Sequence, residues 1–147
     1  MADSPRSLVR VVVPVYRELT PDEESSLRNN VRVLAAWPFT VLYPRGVMPP
    51  ACCRELGLET RAVGDEWLGR RNGIAGYNRM MLSEEFYASF PDTEYILICH
   101  TDAWIFRDEL GDWCRRGYDC VAAPWLRRPL YDLPLVKQYM QWRERMK

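Results

Sequence analysis

The stretch YILICHTDAWIFRDEL, residues 95–110, sets one acid, Asp102, between two apolar runs. An ionised carboxylate is costly to bury without a partner. Asp102 therefore belongs either to an exposed turn between two strands or to a strand end where positive charge meets it. At a strand end it has a use. A hard divalent cation takes oxygen ligands, so Asp102 can supply one while phosphates and water supply the rest. Such a cation would offset phosphate charge and stabilise a departing diphosphate. Arg79, or one of the adjacent pair Arg70 and Arg71, can do similar work as a guanidinium clamp, and Tyr16 stands at the end of the first apolar run. This set suits a nucleotide diphosphate held with a metal. The plainer reading, Asp102 as a turn or helix-capping residue, stays open.

Other chemistries have less to work with. Neither a G-x-G-x-x-G after the first strand nor a G-x-x-x-x-G-K-[ST] occurs, and there is no G-x-S-x-G elbow. With a single histidine and no serine at a suggestive strand end, a hydrolytic triad has little support. A phosphohydrolase using Asp102 as nucleophile would need a second acid two residues away, where His100 and Trp104 stand. The five cysteines, Cys52, Cys53, Cys99, Cys114 and Cys120, are odd in number and lack C-x-x-C spacing. They are expected to be reduced thiols rather than disulfides or zinc ligands.

The elements that must hold Asp102 can be read along the chain. SLVRVVVPVYRE opens with a β-branched run ending at Pro14, the pattern of a strand covered on both faces. Thr20 as N-cap, Pro21 at the first helical position and acids in the first turn then start a helix, with Leu27, Val31, Leu34 and Ala35 at helical spacing. Pro38 ends it, and FTVLYP is a second strand. PPACCRELG reads as a short helix closed by Gly57, and ETRAV as a brief strand. The glycine-rich segment 64–76 reads mostly as loop. YNRMMLSEEFYASF reads as one helix with Met80, Met81, Phe86, Tyr87 and Phe90 on its buried side. The Asp102 stretch follows as a strand, RDELGDWCRRG as a helix closed by Gly117, YDCVAAPW as a further strand, and the tail after Pro134 as an amphipathic helix. Alternating strands and helices predict an α/β fold with a mainly parallel sheet, the strand near Val9 central and the strand ending near Cys99 beside it. Ligands of such sheets bind beyond the carboxyl ends of the strands. Pro14–Glu18, Tyr43–Gly46, residues 64–76 and His100–Trp104 are the segments that fall there.

The 147 residues suit one domain, and 48% hydrophobic content suffices for a core. Twenty basic residues balance twenty acidic ones, which argues against nucleic acid or an anionic membrane as main partner. No apolar stretch approaches the ~20 residues of a membrane span. The start, MADSPRSLVR, lacks a signal-peptide apolar region, so a cytoplasmic protein is expected. Leu133, Val136, Tyr139, Met140 and Met146 give the tail helix an apolar side beside Arg143, Glu144 and Arg145. A homodimer through that helix, or a mobile end, is expected.

Three segments carry a resemblance: VVVPVYRELTPDEESSLRNNVRVL, IAGYNRMMLSEEFY and YILICHTDAWIFRDELGDWCRRGYDCVAAPW. In that order they resemble a domain-of-unknown-function family placed among the GT-A nucleotide-diphospho-sugar transferases, over residues 9–126, with the third segment the most specific. GYNRMML and YILICHTDAWIF are more distantly similar to glycogenin-like and galactosyltransferase-like glycosyltransferases. In those, a helix with a Tyr-x-Arg element precedes a hydrophobic strand ending in Asp-x-Asp. The resemblance implies a Rossmann-like GT-A sheet, a nucleotide-diphosphate-sugar donor, an acceptor that the chain does not identify, and manganese or magnesium. Asp102 matches the last acid of Asp-x-Asp, the metal ligand, and His100 stands where the first acid would be. Tyr77 and Arg79 match the Tyr-x-Arg element. Pro14, Val15 and Tyr16 lie where the first strand meets the nucleobase and ribose. Two departures qualify what is implied. One acid makes the metal site incomplete, and the chain stops short of the segment that helps form the acceptor side. The resemblance thus implies a single GT-A-like domain over residues 1–147, truncated or minimal at its C-terminus. The expected role is that of a glycosyltransferase, or else of a non-catalytic module that binds a nucleotide or a partner.

Overall fold

The computed structural model describes residues 7–69, 72–122 and 133–146, apart from the side chains of Met140 and Glu144. The chain forms two compact units, residues 1–117 and 118–147.

The first unit is built on four parallel strands, β1 (Ser7–Pro14), β2 (Phe39–Pro44), β3 (Glu59–Val63) and β4 (Thr93–Ile98), in the order β3-β2-β1-β4. β1 lies between β2 and β4, pairing Val13 with Val41 and Val11 with Leu97. The expected neighbours and the parallel direction are thus found. Alternate residues of β1 go to opposite faces, as the two-residue period of a strand requires. Val11, Val13 and Val15 join Val41, Cys99 and the helix residues Leu27 and Leu34 in one core. Val12 joins Leu42, Val63, Met80, Phe86 and Phe90 in another. Two apolar layers on one sheet explain why Val11–Val13 of β1 read as an unbroken hydrophobic run rather than an alternating one.

Helices α1 (Pro21–Val33) and α2 (Ala51–Glu55) supply the first layer. α1 has the expected N-terminus. The Thr20 hydroxyl accepts from the Glu23 N–H while the Glu23 carboxylate accepts from the Thr20 N–H, a reciprocal capping box. Leu27 and Leu34 are buried as expected and Val31 is half-buried. Ala35 is exposed, and Ser26 and Asn30 take buried places on the helix instead.

Three expectations are corrected. The described part of residues 64–76 is not mostly loop. It holds α3 (Asp65–Leu68) and the start of α4 (Gly73–Met81), glycines notwithstanding. Leu68 is buried, and buried Gly76 lets α4 approach the backbone of Glu66 and Trp67. The single helix expected over 77–90 is two, α4 and α5 (Glu84–Ala88). Ser83 breaks it by capping the second, its hydroxyl accepting from the Phe86 N–H. The break turns Tyr87 outward while Met80, Phe86 and Phe90 stay buried. Lastly, Tyr118–Ala122 form no strand, so that part of YDCVAAPW is not the fifth strand expected; its remainder lies outside the described residues. α6 (Leu110–Arg115) follows β4 as read.

All five cysteines are free thiols, with Cys52, Cys53 and Cys99 buried. Burial pushes the Cys53 thiol up to about 12 and raises that of Cys99 as well. Among the described residues no helix is long and apolar enough to cross a membrane. The second unit contains α7 (Pro134–Arg145), started by Pro134 in its first turn as expected. Its Leu135, Tyr139 and Trp142 are exposed, with the Tyr139 and Trp142 rings 6.1 Å apart.

Candidate functional site

β1 and β4 end side by side, and a recess opens beyond their carboxyl ends. One wall is the continuation of β1, from Pro14 through Arg17, with Leu19. The other is the turn after β4, His100–Thr101–Asp102. Glu23 of α1 closes the side between them. Five of the seven residues expected at a donor site, Pro14, Val15, Tyr16, His100 and Asp102, therefore line one cavity.

The sixth, Tyr77, reaches the same place from the opposite layer. Its hydroxyl lies 3.0 Å from His100 Nε2. Its ring meets the rings of His100 and Tyr16 edge-on, at 5.4 and 6.2 Å between centroids. Partial burial and the neighbouring Tyr77 push the Tyr16 hydroxyl up to about 12, and burial raises that of Tyr77. Both phenols are therefore neutral donors at ordinary pH.

Arg79 is not brought in. It is exposed on α4, two residues beyond Tyr77, and successive helix residues are about 100° apart. A side chain two positions on thus points nearly to the opposite side. Arg70 and Arg71 lie outside the described residues.

The charges of the recess are unequally committed. Arg17 Nη1 and Nη2 donate to the two oxygens of Glu23 at 2.7 and 3.0 Å, a bidentate pair. Glu23 also caps α1 and accepts from Thr101 Oγ1 at 3.3 Å. The Arg17 fork, and next the Thr20 N–H, hold its carboxyl down at about 2. Asp102 is exposed on the lip, and among the described residues no donor reaches it. One guanidinium thus faces two carboxylates, and the lining carries net negative charge. Among the described residues no three His, Cys, Asp or Glu side chains converge as a metal cage. Asp102 can hold a cation only together with oxygens from a ligand.

What fixes the turn is a stripe of polar residues on α1. Ser26 Oγ and Asn30 Nδ2 both donate to Ala103 O, Asn30 at 2.7 Å. The Ile105 N–H donates to Asn30 Oδ1 at 2.9 Å, and Asn29 Nδ2 donates to Ile105 O at 2.8 Å. Ile105 packs into the core, while Trp104 between these bonds is left about half exposed. Hydrophobic periodicity misses Arg17, Glu23, Ser26, Asn29 and Asn30. The available signal was a run of polar residues at positions 23, 26 and 30, a helical spacing that includes the inward side marked by Leu27 and Leu34.

The recess has a volume of about 170 Å³. Pockets that enclose a whole small ligand hold roughly 300–1,000 Å³. It can therefore seat one moiety of a larger molecule while the rest lies across the lip. A second cleft beside β3 is lined by two arginines, Arg45 and Arg61, of which Arg61 is spent on structure. The Arg61 guanidinium lies 4.5 Å from the Phe90 ring centroid and donates to Ser89 O and to Glu59.

Comparison with known proteins gives one positive finding. The profile of a family described as Protein of unknown function (DUF5672) matches residues 57–146, more than half of the chain. That span holds Tyr77, Arg79, His100 and Asp102, while the β1 wall and α1 lie before it. No curated protein and no solved structure matches.

Proposed function

Because the chain belongs to this family of unknown function, its activity is to be argued from its own side chains, and we propose that it binds a nucleotide-diphosphate sugar and transfers the sugar to an acceptor. The observation that carries this reading is the recess at the β1–β4 edge, where Pro14, Val15, Tyr16, His100 and Asp102 meet and Tyr77 joins them. Ligands of parallel sheets bind at such edges. The resemblance of the same residues to GT-A glycosyltransferases supports a nucleotide sugar as the ligand. In this reading Tyr16 and the end of β1 meet the nucleoside. The Tyr77–His100 pair and Asp102 face the diphosphate.

Electrostatics makes a divalent cation part of the proposal. A diphosphate is anionic, and the lining carries one arginine against two acids. Manganese or magnesium shared between Asp102 and the phosphates would supply the missing charge and the Lewis acidity for diphosphate departure. The protein offers too few ligands to keep the cation by itself, so metal and nucleotide are to bind together. A non-catalytic binding module is the second reading, favoured by the single uncommitted acid. The partners proposed are the donor, an acceptor, and a second copy of the chain through α7.

Calorimetric titration with UDP and GDP sugars, with and without manganese, tests this. Binding is expected only with manganese present, and Asp102→Asn is expected to abolish that dependence because a neutral amide is a poor ligand for a hard cation. The exposed Asp102 predicts that this substitution changes stability by under ~1 kcal/mol. A large loss of stability with unchanged binding would defeat the assignment. Binding without hydrolysis or transfer would favour the module.

A further inference from the structure

The Asp102 turn owes its shape to a side chain that touches nothing in the recess. Asn30 lies in the third turn of α1 and is 1% exposed. A side-chain amide offers two donor hydrogens and an oxygen acceptor, and buried polar atoms must be paired. Both ends of the Asn30 amide are spent on the chain that follows β4. Nδ2 donates to Ala103 O at 2.7 Å, with Cys99 Sγ a weaker contact at 3.6 Å. Oδ1 accepts from the Ile105 N–H at 2.9 Å. One amide thus grips the backbone on both sides of Trp104, as a neighbouring strand would. The grip begins one residue after Asp102.

Ser26 and Asn29 repeat the pattern at lower stakes. Ser26 shares the Ala103 carbonyl with Asn30, and Asn29 takes the carbonyl of Ile105. Thr101, on the other side of Asp102, is tied to Glu23. Asp102 and the indole of Trp104 are exposed, yet the backbone around them is bonded to one helix. An apolar residue at position 30 would serve the core, as Leu27 does on the same helix and Leu34 at its C-cap. A buried amide there has a purpose only through the segment it holds.

We propose that Asn30 is a positioning residue of the donor site, fixing through Ala103 and Ile105 where the Asp102 carboxylate stands beside a bound nucleotide diphosphate. The proposal rests on the nucleotide-sugar reading of the recess. A ligand that contributes its own phosphates to a shared cation needs the protein carboxylate in one place, since misplacing a group by about 1 Å can cost two orders of magnitude. Residues that orient a ligand without touching the ligated group commonly change affinity by about 10–100-fold when removed.

The test separates holding from mere stability. Asn30→Ala removes both bonds. Leu27→Ala, on the same helix and equally buried, opens a cavity in the core against which Ile105 packs but removes none of the hydrogen bonds to Ala103 and Ile105. UDP with manganese serves as the probe, titrated at a temperature where every variant is folded. The Kd is expected to rise at least about tenfold in Asn30→Ala and to stay within about twofold in Leu27→Ala, although the latter melts lower. Hydrogen exchange at the Ile105 amide should accelerate in Asn30→Ala relative to the exchange of β1, and keep its relative protection in Leu27→Ala. If Asn30→Ala does not fold, Asn29→Ala, which keeps the Asn30 bonds to Ala103 and Ile105 but loses the one to Ile105 O together with contacts to Asn30 Oδ1 at 3.3 Å and to Arg32 at 2.9 Å, carries the same comparison with a smaller expected rise. Equal UDP affinity in wild type and the Asn30 or Asn29 variant overturns the positioning role while leaving the donor site standing. Failure of the wild type to bind UDP overturns the donor site and the positioning role with it.

Discussion

Glu23 shows how much one side chain can be asked to do. It closes the capping box of α1, takes the fork of Arg17, receives Thr101 from beyond β4 and lines the recess. Its carboxyl, held down at about 2 chiefly by Arg17, makes the fold acid-sensitive there. A carboxyl lowered in the folded state stabilises it above the ordinary carboxylate value and loses that contribution as pH falls through the folded value. Wild type should therefore lose stability between pH 4.5 and about 2 more steeply than Glu23→Gln, whose amide has no charge to lose. Denaturant melts of both proteins across that range check this, and parallel acid limbs would contradict it. At this scale the sequence was informative where chain direction alone places a residue. Pro14 ends a strand and Tyr16, His100 and Asp102 follow strands, and a parallel sheet collects strand ends at one edge. It was uninformative for Arg79, because two positions along a helix decide which way a side chain points. Asn30 was unreadable for another reason. A polar residue on a helix normally signals solvent, and only the segment arriving after β4 makes it an interior one.

At the scale of elements, the glycine-rich segment teaches the opposite lesson from the one its composition suggests. Glycine in a helix normally costs about 1 kcal/mol relative to alanine. At Gly76 the sign reverses. A Cβ there would come within 2.8 Å of Trp67 O and 2.9 Å of Glu66 O, both backbone atoms of α3 that cannot swing away. Gly76→Ala should thus destabilise by about 1–3 kcal/mol, as overpacking does. Gly111 in α6 is the control. The nearest neighbour of an added Cβ there is the mobile end of Arg115 at 3.2 Å, so Gly111→Ala should be neutral or gain up to about 1 kcal/mol. Thermal melts of the two variants decide, and a stabilised Gly76→Ala would mean that α3 and α4 are not packed as described. The four strands and α1, α2, α6 and α7 were legible from the apolar runs of the strands, the capping box of α1, and the prolines and glycines that bound the other helices. The division of α4 from α5 at Ser83 was not, since a serine inside an amphipathic run reads as a surface residue until its hydroxyl is seen to cap.

For the whole molecule, the two units pose a question of association. α7 leaves Leu133, Leu135, Tyr139 and Trp142 exposed. Burying apolar area is worth about 25 cal/mol per Å², so self-association through this helix is the expected outcome. Sedimentation should show a concentration-dependent dimer, and Trp142→Glu should return it to monomer. A wild type monomeric at high concentration would remove α7 as the interface. The strand order carries a further consequence, one that concerns time. Asn30 and Ala103 are 73 residues apart. During synthesis at ~5–20 residues per second, roughly 4–15 s pass between the emergence of one and of the other. Through that interval β1, α1 and β2 can assemble locally, but the amide of Asn30 has only water for a partner. Premature closure of an apolar segment over it would strand a polar group, at roughly 1–3 kcal/mol. The nascent half-domain is thereby expected to stay open on the side where the Asp102 turn will dock, and the recess can be completed only after the chain beyond β4 has emerged.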